Sequence, residues 1–369
     1  MNQSALFTSH IIRFFRSLLG HAFSRNAASG GISTSLRRLR VFSAALRFQR
    51  TQACRRARAE REGKTVPAII IASVTRRCNL NCAGCYSREL RGADAEELSD
   101  DRFMEIFREG IDLGVGSIFL AGGEPLLRRE LIQRLAALRG PLMPVFTNGT
   151  LLDEKYFSLF SSSGLVPIFS IEGESSFTAE RRGLGIHEGV IEKSRELQRR
   201  GILFGYSITL TSGNAGHVLS PEFLRRIEAS GAAVLFLVEY VPVSSGTENL
   251  VLTDEQKSIL IRPDLFRPYR FSVVTLPGDE EQYGGCLAAG RGFIHISDDG
   301  KLEACPFAPF SDSGVAEQSL AAALASPLMQ SIRERHSELT ETSGGCALWN
   351  KKAWIAELSN CAPSASSLS

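Results

Sequence analysis

The sequence predicts an α/β fold: a partial (β/α)6 barrel of the TIM type followed by a small C-terminal α+β domain. Three observations carry that prediction. Between Pro67 and about Val243, short apolar runs alternate six times with amphipathic windows, the pattern of stacked βα units. After Val243 the pattern gives way to a Ser244-Ser-Gly-Thr247 linker and then to turn residues, glycines and cysteines. Ahead of Pro67 the composition is different again, rich in arginine and free of acid until Glu60. The boundaries read as 1–66 for a basic amphipathic extension, 67–245 for the barrel and 246–275 for a linker region. Residues 276–361 form the C-terminal domain, and 362–369 are a small, polar, disordered tail.

Composition bounds the answer. The 369 residues suffice for one large domain or two ordinary ones, and 43% apolar with 22% charged residues fits a globular protein. The net charge of +2 hides a split: residues 1–66 hold thirteen Lys or Arg against Glu60 and Glu62, so the body is acidic. No run of 18 apolar residues exists to span a membrane as a helix. Eight cysteines in clustered spacings point to metal and a reducing cytoplasm, not to a disulfide framework.

In the extension, 7–20 and 36–58 set large apolar residues among arginines. Such segments suit peripheral contact of 1–59 with an anionic membrane surface, such as the inner membrane. They also resemble a transit peptide, and the plainest reading is a basic, poorly ordered extension. Cys54 has no partner at motif spacing and reads as a bystander.

The first barrel strand is Ala68-Ile-Ile-Ile-Ala-Ser-Val74, short, β-branched and preceded by Pro67. Cys78-Asn-Leu-Asn-Cys82-Ala-Gly-Cys85 follows on the loop leaving its carboxyl end, where α/β barrels place their chemistry. Three thiolates can hold three irons of a cubane and leave a fourth without a protein ligand. A zinc site or free core cysteines are the plainer alternatives, and no fourth zinc ligand completes the set locally. Ser99 then caps a helix that opens with Asp100 and Asp101 and ends at Gly114. Strand two, Ser117-Ile-Phe-Leu120, runs into Ala121-Gly122-Gly123-Glu124-Pro125. Those glycines let backbone approach a ligand, and Glu124 can pair with an ammonium.

A CxxxCxxC loop, one helix and then Gly-Gly-Glu-Pro together resemble the radical SAM superfamily over about residues 67–245. The resemblance implies a [4Fe–4S] cluster on Cys78, Cys82 and Cys85 whose open iron binds S-adenosylmethionine. One electron then cleaves that cofactor to a 5′-deoxyadenosyl radical, which takes hydrogen from substrate. It further implies that Gly122, Gly123, Glu124 and Pro125 hold the methionine amino group and that Tyr86 lies close to the cofactor.

The remaining units follow in turn: helix 128–139, strand 143–147, helix 153–160, strand 166–171, helix 188–200, strand 203–211, helix 221–230 and strand 233–240. Thr147 and Asn148 end strand three, where a nucleoside would need polar groups, and Ser170 and Glu172 end strand four. By the resemblance Ser170 and Glu172 contact the ribose and Arg182 the cofactor's carboxylate. Glu239, beside Tyr240 at the end of strand six, could face cofactor or substrate.

A short helix at 254–261 and a proline-interrupted stretch lead to Cys286, an outgoing strand 292–297, an Asp-Asp-Gly turn and a return strand ending at Cys305. Such a hairpin brings Cys286 and Cys305 together. A helical segment, 317–335, is broken at Pro327 and leads to Gly344-Gly-Cys346. This arrangement resembles the SPASM or twitch auxiliary-cluster extension. With four cysteines downstream of the barrel instead of seven or eight, it fits the shorter form with one auxiliary [4Fe–4S] cluster. Cys286, Cys305 and Cys346 are its candidate ligands and Cys361 a doubtful fourth. His295 reads as a strand histidine.

The expectation is therefore a radical SAM enzyme acting on an unidentified small molecule, cofactor precursor, lipid or peptide, with no catalytic side chain assigned. Flavodoxin or ferredoxin would serve as one-electron donor, and no nucleic-acid partner is expected. A non-catalytic iron–sulfur carrier or scaffold is the rival reading, and it has no need of a methionine-binding loop.

Overall fold

The computed structural model describes residues 31–91, 95–262, 264–276, 283–340 and 346–359. The predicted tail, Cys361 and Gly344-Gly345 lie outside the described residues. The chain opens with a long helix, α1 (Gly31–Arg61). The βα units then run β1 (Ile69–Ser73), α2 (Asp100–Leu113), β2 (Ser117–Ala121), α3 (Arg129–Ala136), β3 (Met143–Thr147) and α4 (Glu154–Ser162). Next come β4 (Leu165–Ile171), α5 (Ser175–Arg182), α6 (Ile186–Arg199), β5 (Gly205–Leu210), α7 (Pro221–Ala229) and β6 (Val234–Glu239). The Ser99 side chain accepts from Arg102 N and the backbone leaves α2 through Gly114 at φ 127°, so the cap and stop read from sequence both hold.

The partial barrel is larger than six units. The segment read as a linker holds α8 (Asp254–Leu260) and ends in β7 (Ser272–Leu276), which pairs parallel with β6. On the other side, β8 (Phe293–Ile296) pairs parallel with β1, Ile69 opposite Phe293 and Ile71 opposite His295. Antiparallel β9 (Leu302–Glu303) completes a sheet ordered β7-β6-β5-β4-β3-β2-β1-β8-β9. The hairpin assigned to a separate C-terminal domain thus lends its first strand to the barrel. The physical reason is that β8 is buried on both faces: Ile294 and Ile296 join the main core, and His295 is fully enclosed on the other side. The strand needs a sheet to lie in, and the free edge of β1 supplies one. Helices α9 (Leu320–Leu324), α10 (Pro327–Glu334), α11 (Ala347–Asn350) and α12 (Lys352–Ser359) pack on the same core.

The second correction concerns the extension. Among its described side chains, Ala45, Gln49, Gln52 and Arg56 form a buried stripe at helical spacing. Ala45 packs with Leu142, Ile168, Val234 and Phe236, a small second core at the barrel floor. Gln52 Nε2 donates to the carbonyls of Ile111 (2.6 Å) and Val115 (2.8 Å), and Gln49 Nε2 donates to that of Gly116 (2.7 Å). Arg56 Nη1 donates to the Gly114 carbonyl at 2.6 Å. These carbonyls lie at the open C-terminal end of α2 and just beyond it, where intrahelical partners run out. The later half of the segment read as a membrane-facing or loose extension therefore plugs the barrel. Arg47, Arg50 and Arg58 remain on its exposed side. No described helix is long and apolar enough to cross a membrane.

Candidate active site

The cysteine loop leaves the carboxyl end of β1 and is pinned from three sides. Gly123 N donates to Thr75 O at 2.7 Å and Glu124 N to Arg77 O at 2.8 Å, which lays the Gly-Gly-Glu segment along the loop's entry. A Cβ on Gly122 would stand 2.3 Å from Thr75 O, and one on Gly123 2.1 Å from Arg77 O. The glycines thus admit the cysteine loop's own backbone. Asn79 Nδ2 donates to Thr150 Oγ1 (2.7 Å) and Asn148 Nδ2 to Asn79 Oδ1 (2.9 Å). From the third side, Ala83 N donates to Arg181 O (2.9 Å), and the Arg182 guanidinium lies 4.0 Å from Cys82 Sγ.

Cys78 is exposed, Cys82 and Cys85 half-buried. Burial lifts the Cys78 thiol above its ordinary range, and its neighbours Glu124, Cys82 and Cys85 push the same way; all three cysteines line one cavity. The positive irons of a cubane would draw the raised Cys78 thiol back to its thiolate form. Among the described residues no three His, Cys, Asp or Glu side chains form a group that could hold a single metal ion. A cubane spreads its thiolates over separate irons and needs no such compact group.

Glu124 is fully buried, and burial raises its carboxyl above the usual range against the pull of its hydrogen bonds. It accepts from Thr147 Oγ1 (2.7 Å), Asn148 N (2.8 Å) and Leu126 N (3.0 Å). Glu172 is likewise buried and takes Arg181 Nη1 at 2.6 Å and Arg182 Nε at 2.8 Å. Thr147, Pro125 and Glu172 stand behind the wall of the central cavity, Thr147 bracing Glu124 and Glu172 bracing the two arginines. Gly122, Gly123, Glu124, Asn148, Ser170 and Arg182 do line it.

That cavity measures about 830 Å³ and is also lined by Cys78, Cys82, Cys85, Cys286, Cys305 and Cys346. The three C-terminal thiols are buried. A hydrogen bond with Cys346 raises the Cys305 thiol most, burial next, and nearby Cys286 adds to it. Gly285 has φ 118° and a Cβ there would stand 2.0 Å from His336 O, so a glycine is needed to seat Cys286. Between the two thiol sets, the Tyr86 ring packs on Phe307 with centroids 4.7 Å apart, and burial pushes its phenol up to about 12. The deeper wall is aromatic, with Phe119, Phe146 and Phe236 in edge contact.

His295 anchors a buried network between the cysteine loop and the hairpin. Its Nε2 lies 2.9 Å from Ser73 Oγ and its Nδ1 2.7 Å from Glu303 Oε2. Arg91, just after the cysteine loop, reaches Glu303 at 3.2 Å, and Arg76 reaches Asp298 at 2.5 Å. Sequence reasoning missed Arg181 and Tyr240. The pair Arg181-Arg182 was a visible signal, but which member faced the loop was not.

An eight-stranded parallel core with a triple-thiol loop at the carboxyl end of β1 is an α/β barrel that carries its candidate site where such barrels place their chemistry. Residues 72–215 match the radical SAM superfamily. It is 27% identical over 284 residues to the AdoMet-dependent heme synthase of Methanosarcina barkeri, covering 68% of this chain and 80% of that protein. Pre-heme d1 synthase of Dinoroseobacter shibae is 30% identical over 199 residues, 50% of this chain and 46% of its own length. The fold also matches Streptococcus suis SuiB bound to S-adenosylmethionine, with TM-score 0.60 at 17% identity, over 88% of this chain and 82% of that one.

Proposed function

We propose that this radical SAM enzyme cleaves S-adenosylmethionine reductively in the central cavity and takes a hydrogen atom from a substrate held there, assisted by a second [4Fe–4S] cluster on Cys286, Cys305 and Cys346. The observation that carries the reading is that two thiol triplets, from opposite halves of the chain, line one cavity. When bound, the cubane on Cys78, Cys82 and Cys85 supplies the electron that splits the cofactor into methionine and a 5′-deoxyadenosyl radical. The chain's residues position the rest. Glu124, held by Thr147 and Asn148, fixes the Gly122-Gly123 backbone toward the methionine amino group. Arg182, oriented by Glu172, would meet the carboxylate, and Ser170, on the same cavity wall, would contact the ribose. The aromatic wall keeps water from the radical and suits an apolar, planar substrate of modest size, since the same 830 Å³ must also hold the cofactor.

A flavodoxin or ferredoxin of the cytoplasm would deliver the electron. Contact with an anionic bilayer now rests on the basic residues ahead of the docked part of α1 and on its outward arginines. A pure electron carrier would have no use for a cavity of this size walled by aromatic rings.

Anaerobically reconstituted protein should hold about eight irons per chain, and about four in a Cys78/Cys82/Cys85 triple alanine variant that keeps a cubane resonance after reduction. Cys82→Ala should stop release of 5′-deoxyadenosine. A folded triple variant without iron would remove the second cluster, and unchanged turnover in Cys82→Ala would remove the reaction.

A further inference from the structure

Tyr240 directly follows β6 and is 3% exposed. Its backbone is fixed by Tyr240 N donating to Leu210 O at 2.9 Å. The phenol oxygen is buried and has no hydrogen-bond partner among the described residues. It lines the cavity beside Gly84, the residue between Ala83 and Cys85. Gly84 has φ 59°, and a Cβ there would stand 3.1 Å from Tyr240 Oη and 3.3 Å from Cε2. The loop is thus shaped to let this ring come close. The Gly84 carbonyl is meanwhile taken by Arg181 Nη2 at 3.3 Å.

A buried hydroxyl without a partner costs about 1–3 kcal/mol. Such a group is kept where a ligand completes it. The ligand that this loop would hold is rich in sulfur acceptors. We propose that Tyr240 is a positioning residue that donates its O–H to a sulfur of the cluster carried by Cys78, Cys82 and Cys85. A hydrogen bond to cluster sulfur favours the more negative, reduced state, so this contact raises the reduction potential. Tyr240 thereby sets how strong a donor the enzyme needs. The inference rests on the radical SAM reading and adds to it a residue outside every motif the sequence offers.

Tyr240→Phe removes the oxygen and keeps the ring. In the reconstituted full chain, the cubane resonance that changes on adding S-adenosylmethionine identifies the cluster concerned. Its midpoint should fall in the variant by about tenfold in the reduction equilibrium, about 59 mV for one electron. In heavy water, before cofactor or substrate is added, the wild-type resonance should show a coupled deuteron that Tyr240→Phe lacks. Iron-free Tyr240→Phe should unfold no more easily than iron-free wild type, because the lost hydroxyl had no partner there. An unchanged midpoint, or a deuteron coupling that survives, overturns the proposal. Absence of any resonance responsive to S-adenosylmethionine in the wild type would instead overturn the radical SAM reading itself.

Discussion

Replacing Gly123 with alanine tests whether the Gly-Gly-Glu segment serves first as a seat for the cysteine loop. The new methyl would stand 2.1 Å from Arg77 O and 2.5 Å from its carbonyl carbon, both backbone atoms that cannot swing aside. Reaching the 3.4 Å of ordinary contact means parting the two segments by more than 1 Å. That movement breaks Gly123 N to Thr75 O (2.7 Å) and Glu124 N to Arg77 O (2.8 Å). At about 1 kcal/mol net for each bond, the closed arrangement loses about 2 kcal/mol, which is about 30-fold in binding. The assay is equilibrium binding of S-adenosylmethionine to the anaerobically reconstituted protein, with iron content measured alongside. Gly189→Ala is the control: it lies within α6, with no atom within 4 Å of the added methyl, and should leave binding unchanged. Affinity in Gly123→Ala within threefold of wild type would refute the close-approach argument.

Two further outcomes follow from the fold. Gln52→Ala strands the Val115 carbonyl, while that of Ile111 keeps Gly114 N and Arg55 Nη1, and should cost about 1–3 kcal/mol in chemical denaturation; a loss below about 0.5 kcal/mol, on the order of a surface change, would mean that α1 does not plug the floor. Burial, and then the charge of Arg91, hold the His295 imidazole below its ordinary 6.5. Its contribution to stability is therefore whole above pH 6.5 and is lost as pH falls through the depressed value. Iron-free protein should unfold more readily at pH 5.5 than at pH 7.5 (both about), and His295→Asn should flatten that difference. Equal slopes for the two proteins would remove His295 as the cause.

Local signals carried the first barrel units well, because each is decided by neighbours in sequence. Phe103, Ile106 and Phe107 mark a helix face whatever lies elsewhere, and Cys78, Cys82 and Cys85, close in sequence, line one cavity. Pairings between distant segments were not legible. Ser272–Leu276 is an apolar run like many others until β6 lies beside it, and Phe293–Ile296 is as well suited to a free hairpin as to the edge of β1. The arginines of α1 hid a stripe of glutamines whose acceptors are carbonyls some sixty positions away. Within the site, the motifs singled out Glu124 and Glu172 but said nothing of their oxygens holding Thr147, Asn148 and the two arginines. Tyr240 carried no signal because a phenol after a strand is ordinary. Its meaning comes from Gly84, which lies against it in the cavity wall.

The pairing of Ile69 with Phe293 has a consequence during synthesis. At roughly 5–20 residues per second, β1 waits about 10–45 seconds on the ribosome before the strand that covers its edge exists. Through that interval an Ile-Ile-Ile run keeps an unpaired backbone edge, a template for joining the wrong neighbour. The cysteine loop, already made, hangs from the same strand. A nascent chain of this kind invites a holdase, and iron delivered before residue 296 emerges would meet a barrel without its last wall.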